Sequence, residues 1–448
     1  MNRATKHFIS CLGIAAALVC SQHSFAQEVH VFSIKDAIDY GTKNSATVKN
    51  ALIAYQMQEQ TNRSVTSEAL PQLNGSLGLT DNVLLATQLV PGEFAGQPAG
   101  TFIPIKFGTR YNTLAGLTLH QVLFDGQVFV GLQARQTALN YYSKSAELTS
   151  QNIRVNIYKV YYQLLLSRTQ VDLIDANISR AQELLHNTSE MYKNGFSEKL
   201  DLDKATVQLA NLRTEKIQTN FNIENGYLGL KVLLGMPMHD SLVLKDSLTY
   251  EKVRDIELAD KVYQYADRRD FQLLRLNMDL NAFDLKRYRK MYIPTASLTG
   301  YLSENAYRSE FNIFGKGDWY PQAYFSLNIN IPIFDGFFKA ANIQKAKLSL
   351  QQTENQIDAL KINIDGEVKQ AQLRYTAAMD VLESQKKNMD LAESVYQQTR
   401  KKYEQGLGSN TEIISAESDL KQAQNNYINS LYSAIIAKID YQNSIGKI

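Results

Sequence analysis

Two stretches of the chain repeat one arrangement of residues that can form polar contacts. The first is "MYKNGFSEKLDL" and the second is "KYEQGLGSNTEI". In each, a Tyr is followed three residues later by a Gly and nine residues later by a carboxylate, Asp201 or Glu412. A phenol and a carboxylate can hydrogen-bond to other groups, and a carboxylate can attract a cation. Tyr192 and Tyr403 are 211 positions apart, which predicts a duplicated structural element.

Residue types that support catalysis form no recognisable motif in this chain. "FGKGD" lacks the first Gly and the Ser/Thr of a phosphate-binding loop, and no G-x-S-x-G sequence is present. The His residues after position 26 are not spaced as metal ligands: His30, His120, His186 and His239. We therefore expect no enzymatic activity, no metal and no cofactor, so that any energy must come from a partner.

The composition is that of a folded protein. Of 448 residues, 44% are hydrophobic and 21% are charged, and the net charge is only +2. These values are typical neither of disordered chains nor of nucleic-acid-binding proteins. We expect no nucleic-acid partner.

The first 26 residues have the pattern of a signal peptide. Arg3 and Lys6 precede an apolar run that is too short to span a bilayer, and small residues then precede Gln27. Cys20 leaves lipid attachment as an alternative. Both cysteines lie in this segment, so the exported chain is expected to contain no disulfide.

Paired landmarks extend the duplication over the rest of the chain. "VLFDG" at 122–126 recurs as "PIFDG" at 332–336, and Pro71 corresponds to Pro294. An internal repeat of this length determines the architecture. We assign residues 27–235 to the first repeat, 236–257 to a connector and 258–448 to the second repeat.

Each repeat contains two stretches that alternate between apolar and polar residues. They lie at about 72–80 and 110–123, and at about 295–303 and 319–331. Phe325, Leu327 and Ile329, for example, alternate with neutral polar residues. Strict alternation predicts strands with one apolar face. A half-buried sheet on a soluble core is one interpretation, but the length and the neutral polar face favour membrane strands.

Long helices follow each strand pair. From Ile157 to Tyr192, apolar and small residues recur in alternating steps of three and four, which predicts a coiled-coil seam. A helix unbroken over 127–194 would be about 100 Å long. Gly195 and Gly406 are expected to end two such helices in the left-handed conformation. Ser197 and Ser409 are expected to cap the returning helices, and Asp125 and Asp335 to cap the long ones.

Four membrane strands cannot close a barrel within one chain. Open edges in hydrocarbon would leave backbone groups without hydrogen bonds, at a cost of several kcal/mol each. Several copies must therefore combine their strands. The residues alone allow a dimer with eight strands or a trimer with twelve.

The order of strand pair, "FDG", long helix, "Y-x-x-G" and long helix, repeated twice, resembles the TolC family of outer-membrane efflux proteins. The resemblance implies a fold that is mainly α with membrane β, with a trimeric 12-stranded barrel and a coiled-coil periplasmic tunnel. It implies an exit duct of a tripartite efflux pump in the outer membrane of a Gram-negative bacterium. The implied partners are two further copies of the chain, a periplasmic adaptor (membrane fusion) protein, an inner-membrane transporter and outer-membrane lipid.

The resemblance also implies roles for residues near the repeated phrases. Asp201 and Tyr403 lie where gate residues of the family lie, and Glu412 is a candidate for a ring of carboxylates at the entrance. Some members of the family have an Arg five residues after the Tyr, where this chain has Gly408, so the gate bonding is expected to differ. The hairpin tips that would dock the adaptor are marked by four residues: Gly195, Phe196, Gly406 and Leu407.

Two other functions fit the same sequence. One is an exit duct for protein secretion by a type I system, and the other is a soluble periplasmic coiled-coil scaffold. For a membrane duct, the segments 81–109 and 304–318 are expected to be the cell-surface loops, because they join each strand pair at the end opposite "FDG".

Overall fold

A computed structural model describes residues 29–248, 250, 263–312 and 315–448. The predicted signal peptide, the alternative lipid site at Cys20 and most of 249–257 of the connector lie outside the described residues. The described chain divides into two compact units. The first consists of described residues within 1–50, 149–264 and 364–448, and the second of those within 51–148 and 265–363.

In the first repeat the two predicted strands are followed by two long helices, as predicted, and three further short strands are present. Its elements are β1 (Val29–Phe32), α1 (Ile34–Asn44), α2 (Ala46–Ser67), β2 (Gln72–Asp81), β3 (Thr87–Pro91), β4 (Phe102–Lys106), β5 (Tyr111–Phe124), α3 (Gly126–Lys193) and α4 (Lys199–Leu234). β3 and β4 form an antiparallel hairpin within the segment 81–109.

The second repeat follows a short strand in the connector. That strand is β6 (Ser241–Leu244), and the elements of the repeat are α5 (Arg269–Lys290), β7 (Thr295–Arg308), β8 (Tyr320–Asn330), α6 (Phe338–Glu404) and α7 (Asn410–Ser444). β7 continues five residues beyond the predicted end, because it stays paired with β5 as far as Arg308 and Tyr111. The prediction that residues 304–308 belong to a loop is therefore wrong.

Four antiparallel strands form one sheet in the second unit, in the order β2-β5-β7-β8. The registers align apolar residues across it, as in the row Leu73, Leu119, Gly300 and Phe325. On this face Leu73 is 65% and Phe325 79% exposed. Polar and aromatic residues share the opposite face, as in the row Asn74, Thr118, Tyr301 and Tyr324. The period-two alternation thus corresponds to two chemically different faces, both open in a single chain.

The first unit contains the main apolar core. It is built on α1, α3, α4 and a parallel pair formed by β1 and β6. Ile157, Leu230 and Leu234 are fully buried there, as is Tyr161, whose hydroxyl donates to Asp246 Oδ2 at 2.8 Å. The parallel pair joins the start of the first repeat to the connector, a pairing that the sequence did not predict.

Each long helix is continuous, and α3 extends over 68 residues. Predicted seam residues are buried along it, among them Ile157, Leu164, Ile174, Ala181 and Thr188. The supercoiling of paired helices stays a prediction. Within the described ranges, none of the helices is both long and apolar enough to cross a bilayer.

Candidate functional site: the hairpin tips

Both hairpin tips have the same backbone geometry. Gly195 has φ +81°, and the next residue, Phe196, donates its amide to Met191 O at 2.8 Å. Gly406 has φ +73°, and Leu407 donates to Lys402 O at 2.9 Å. A left-handed Gly, followed by an amide that donates to the carbonyl five residues earlier, is the Schellman arrangement that ends helices. The prediction that the two glycines end their helices in the left-handed conformation is confirmed.

An apolar side chain projects from each tip. Phe196 is 80% and Leu407 77% exposed. In a Schellman ending, the residue after the Gly commonly packs against its own helix. Here both side chains are left in solvent at equivalent positions, so the two tips present similar apolar contacts outward.

The two returning helices begin differently. Ser409 is the N-cap of α7 and accepts the Glu412 amide at 3.2 Å, while Glu412 accepts the Ser409 amide, which completes a capping box. On α4 the N-cap is Glu198, which makes no capping bond through its side chain. The prediction that Ser197 caps α4 is therefore wrong. Ser197 lies one residue before the N-cap. Its hydroxyl donates to Asp201 Oδ2 at 3.3 Å instead.

The "FDG" motifs also differ between repeats. Asp125 Oδ1 accepts the amide of Gln127 at 2.7 Å, as an N-cap of α3 does. Asp335 is separated from the start of α6 by a turn, in which Gly336 and Phe337 both have positive φ. Its carboxylate still accepts the amide of Lys339, at 3.0 Å. Asp335 therefore bonds to an amide at the start of α6 although it is not the residue directly before the helix, where it was predicted to lie.

Tyr403 lies inside the contact between the two hairpins. It is 6% exposed, and its hydroxyl lies 3.1 Å from Thr188 Oγ1, which is fully buried on α3. Leu184, Tyr396, Ile413 and other apolar side chains surround it. Tyr403 therefore connects the first hairpin to the second through one buried hydrogen bond.

The two carboxylates of the repeated phrases, Asp201 and Glu412, take no part in the hydrogen bond between Tyr403 and Thr188. Asp201 is half-buried in the first turn of α4, and its side chain bonds to Ser197. Its backbone oxygen accepts from the side chain of Asn410 at 3.4 Å, a second contact between the tips. Among the described residues, Asp201 and Tyr403 share no hydrogen bond. Glu412 is exposed in the first turn of α7.

A buried polar cluster between the hairpins was missed by the sequence reasoning. Glu417 on α7 is 3% exposed and accepts from Gln208 Nε2 of α4 at 2.9 Å. Burial raises the pKa of Glu417, while Arg180 of α3 and then Gln208 and Lys421 act in the opposite direction. Arg180 also lies over the ring of Tyr396, 5.5 Å from its centroid. A signal was available, because Glu417 falls between Ile413 and Leu420 on the buried face of α7.

The contacts at the tips hold the two helical hairpins of the chain together. Among the described residues, no group of three or more His, Cys, Asp or Glu side chains could hold a metal ion. The tips thus expose Phe196 and Leu407, and the buried hydrogen bond between Tyr403 and Thr188 lies near them.

Comparisons with known proteins give the chain a family. The model of the family described as "Outer membrane efflux protein" matches residues 37–236 and 265–447. The proteases secretion protein PrtF of Dickeya chrysanthemi is 20% identical over 75% of this chain and 73% of its own length. The outer membrane protein TolC of Salmonella enteritidis is 18% identical over 75% of this chain and 69% of its own. A crystal structure of CusC superimposes with a TM-score of 0.76 at 18% identity, covering 92% of each chain.

Proposed function

The chain belongs to the outer membrane efflux protein family, and on that premise we propose that three copies form the exit duct of a tripartite efflux pump. It is an outer-membrane protein of a family of channels rather than enzymes. The duct would conduct small molecules passively, from an inner-membrane transporter to the outside. Because the family consists of outer-membrane proteins, we set aside the alternative of a soluble periplasmic coiled-coil scaffold.

The four-stranded sheet with two free edges carries the proposal. β2 and β8 are its edge strands, and an exposed edge in hydrocarbon is costly because its amide and carbonyl groups lack partners. Joining β8 of one copy to β2 of the next satisfies both edges. Three copies would supply twelve strands, and the exposed apolar face around Phe325 and Leu327 would contact lipid.

The tips support a second part of the proposal, docking to a periplasmic adaptor. Phe196 and Leu407 are exposed at equivalent turns, each after a Gly with positive φ. An adaptor with apolar side chains at matching positions would cover them. The same contact could pull on the helices that meet at Tyr403 and thereby open the entrance.

Glu412 is the candidate for a carboxylate ring at that entrance. Its side chain is exposed, and three copies would bring three negative charges to one end of the duct. Glu412→Gln removes the charge and keeps a residue type that completes a capping box. We expect weaker block of the channel by divalent cations in this variant. Unchanged block would remove Glu412 from the conduction path.

Protein secretion is the second candidate for the same duct. PrtF is named as a proteases secretion protein, and it matches about three-quarters of this chain. Expression of the duct in a strain that lacks its own outer-membrane exit channel separates the two candidates. Restored resistance to small toxic solutes favours efflux, and restored export of a co-expressed polypeptide favours secretion.

The assembly is tested by the mass of the folded protein in detergent and by conductance in planar bilayers. We expect three chains per particle and stepwise conductance on insertion. A stable monomer or dimer that conducts would disprove the twelve-stranded arrangement. A particle that never inserts would disprove the channel itself.

A further inference from the structure

The C-terminal end of α5 and the residues just after it carry a cluster of basic and aromatic residues close to the start of strand β7. We call it the basic collar, and it comprises Lys286, Arg287, Arg289, Lys290 and Tyr292. β7 begins three residues later at Thr295. The cluster therefore lies at the end of the sheet where strands give way to the helices.

Two of the four cations already have partners. Arg287 pairs with Asp284 at 3.1 Å, and Lys286 Nζ lies 2.5 Å from Gln133 Oε1. Arg289 is exposed and Lys290 half-buried. No carboxylate of the described chain lies within ion-pair distance of either, so the positive charges of Arg289 and Lys290 have no counter-charge there.

The helix end by itself does not require these charges. Basic residues in a last turn stabilise the helix dipole, but α2, the corresponding helix of the first repeat, has none there. With Pro71 aligned to Pro294, the first repeat has Thr66 and Ser67 in place of Arg289 and Lys290. The charges of Arg289 and Lys290 are thus specific to one repeat and are not part of the shared architecture.

Exposed aromatic side chains lie next to the collar. Tyr292 is 52% exposed, and its ring centroid lies 5.4 Å from Lys339 Nζ, at the start of α6. Lys290 packs on the start of α3, since a β-carbon at Gly126 would lie 2.9 Å from Lys290 Cβ. The two strand-to-helix junctions expose five further aromatics, between 41% and 78%: Phe124, Phe129, Phe334, Phe337 and Phe338.

We propose that the basic collar binds the phosphate headgroup of an anionic phospholipid in the periplasmic leaflet of the outer membrane. The inference rests on the proposed membrane-spanning role of the sheet. The Arg289 guanidinium donates two parallel hydrogen bonds to phosphate oxygens, and Lys290 adds a second positive charge. Exposed phenylalanines at the same level would contact the acyl chains, as aromatic residues do at membrane interfaces. That apolar contact favours a lipid over free phosphate as the ligand.

Native mass spectrometry of the full-length assembly tests the collar. The purified protein in mild detergent is given equal amounts of phosphatidylglycerol and phosphatidylethanolamine. We expect about fivefold preferential retention of phosphatidylglycerol, decreasing with added salt. The double variant Arg289→Gln, Lys290→Gln should lose that preference. The control Arg63→Gln neutralises an exposed cation one residue before the last turn of α2, the corresponding helix of the first repeat, and this variant should retain the preference.

Three outcomes overturn the inference. They are equal retention of both lipids by the wild type, an unchanged preference in the double variant, and displacement of the lipid by millimolar inorganic phosphate, which would indicate a site for the free anion. Conductance in bilayers is measured on the same samples. Wild-type protein that conducts without a lipid preference disproves the collar and leaves the channel standing, whereas protein that never inserts disproves both.

Discussion

At the scale of single residues, Tyr403 is where two hairpins of one chain meet through a hydrogen bond that water does not reach. Its partner, Thr188, belongs to the other repeat and is fully buried. A net contribution of about 1 kcal/mol is typical of such a bond. Because the ring is held by apolar neighbours, the hydroxyl can be removed without disturbing the packing.

Tyr403→Phe should therefore weaken the closed entrance without lowering the amount of assembled protein. We expect an increase of about fivefold in open probability, corresponding to about 1 kcal/mol, measured in planar bilayers. Thr188→Val removes the same bond from the other side and should have a similar effect. In the double variant the two effects should not add. Additive effects would show that the hydroxyls act separately.

Glu417 predicts a pH dependence. Burial raises its pKa, so the folded state holds the proton to a higher pH than the unfolded state. Its contribution to stability is complete below the unfolded pKa of about 4.3 and is lost as pH rises through the folded pKa. Glu417→Gln should therefore slow amide hydrogen exchange around Leu420 severalfold at neutral pH, with no difference near pH 4. The exposed neighbour Asp419 provides the control, as Asp419→Asn, which should change little.

At the scale of elements, the two tips depend on backbone conformation more than on side chains. Gly195 and Gly406 have positive φ, yet nothing lies within 4 Å of a β-carbon at either. The requirement for Gly is therefore conformational rather than steric, and a β-branched residue is the least suited to it.

Gly195→Val or Gly406→Val should distort a tip while sparing the sheet. A cost of about 1–2 kcal/mol for a left-handed residue is expected. Transport activity should fall at least tenfold with a normal level of assembled protein in the outer membrane. Gly366→Ala is the matched control, because Gly366 lies inside α6 with open space around its β-carbon position. A Val variant with full transport would show that tip geometry is not needed for coupling.

At the scale of the whole molecule, the strand hairpin β3–β4 should mark the cell surface. It joins β2 to β5 at the end of the sheet opposite Asp125. Gly96 is exposed in it, with φ +73°, so a short insertion there should be tolerated.

A peptide tag after Gly96 should be reached by antibody on intact cells, at more than about half the signal seen after permeabilisation. The comparison tag, placed after Gly195 at a hairpin tip, should be detected only in permeabilised cells. The reverse pattern would invert the orientation of the sheet.

Much of the secondary structure of this protein could be predicted from the periodicity of its sequence. The period of two in the strands, the steps of three and four in the helices and the repeated Gly after a Tyr each follow from local geometry, which places side chains on faces regardless of what packs there. These patterns were enough to place the four strands of the sheet and the glycines that end the helices at both tips.

Only the tertiary structure decided which polar groups meet. Tyr403 and Thr188 are 215 positions apart, Gln208 and Glu417 are 209 apart, and β1 pairs with β6 across the whole first repeat. The extension of β7 to Arg308 likewise depended on its pairing with β5, which local patterns do not contain. Contacts between distant residues depend on which two faces pack together in space. The pattern of a single sequence indicates each face but not the face that packs against it.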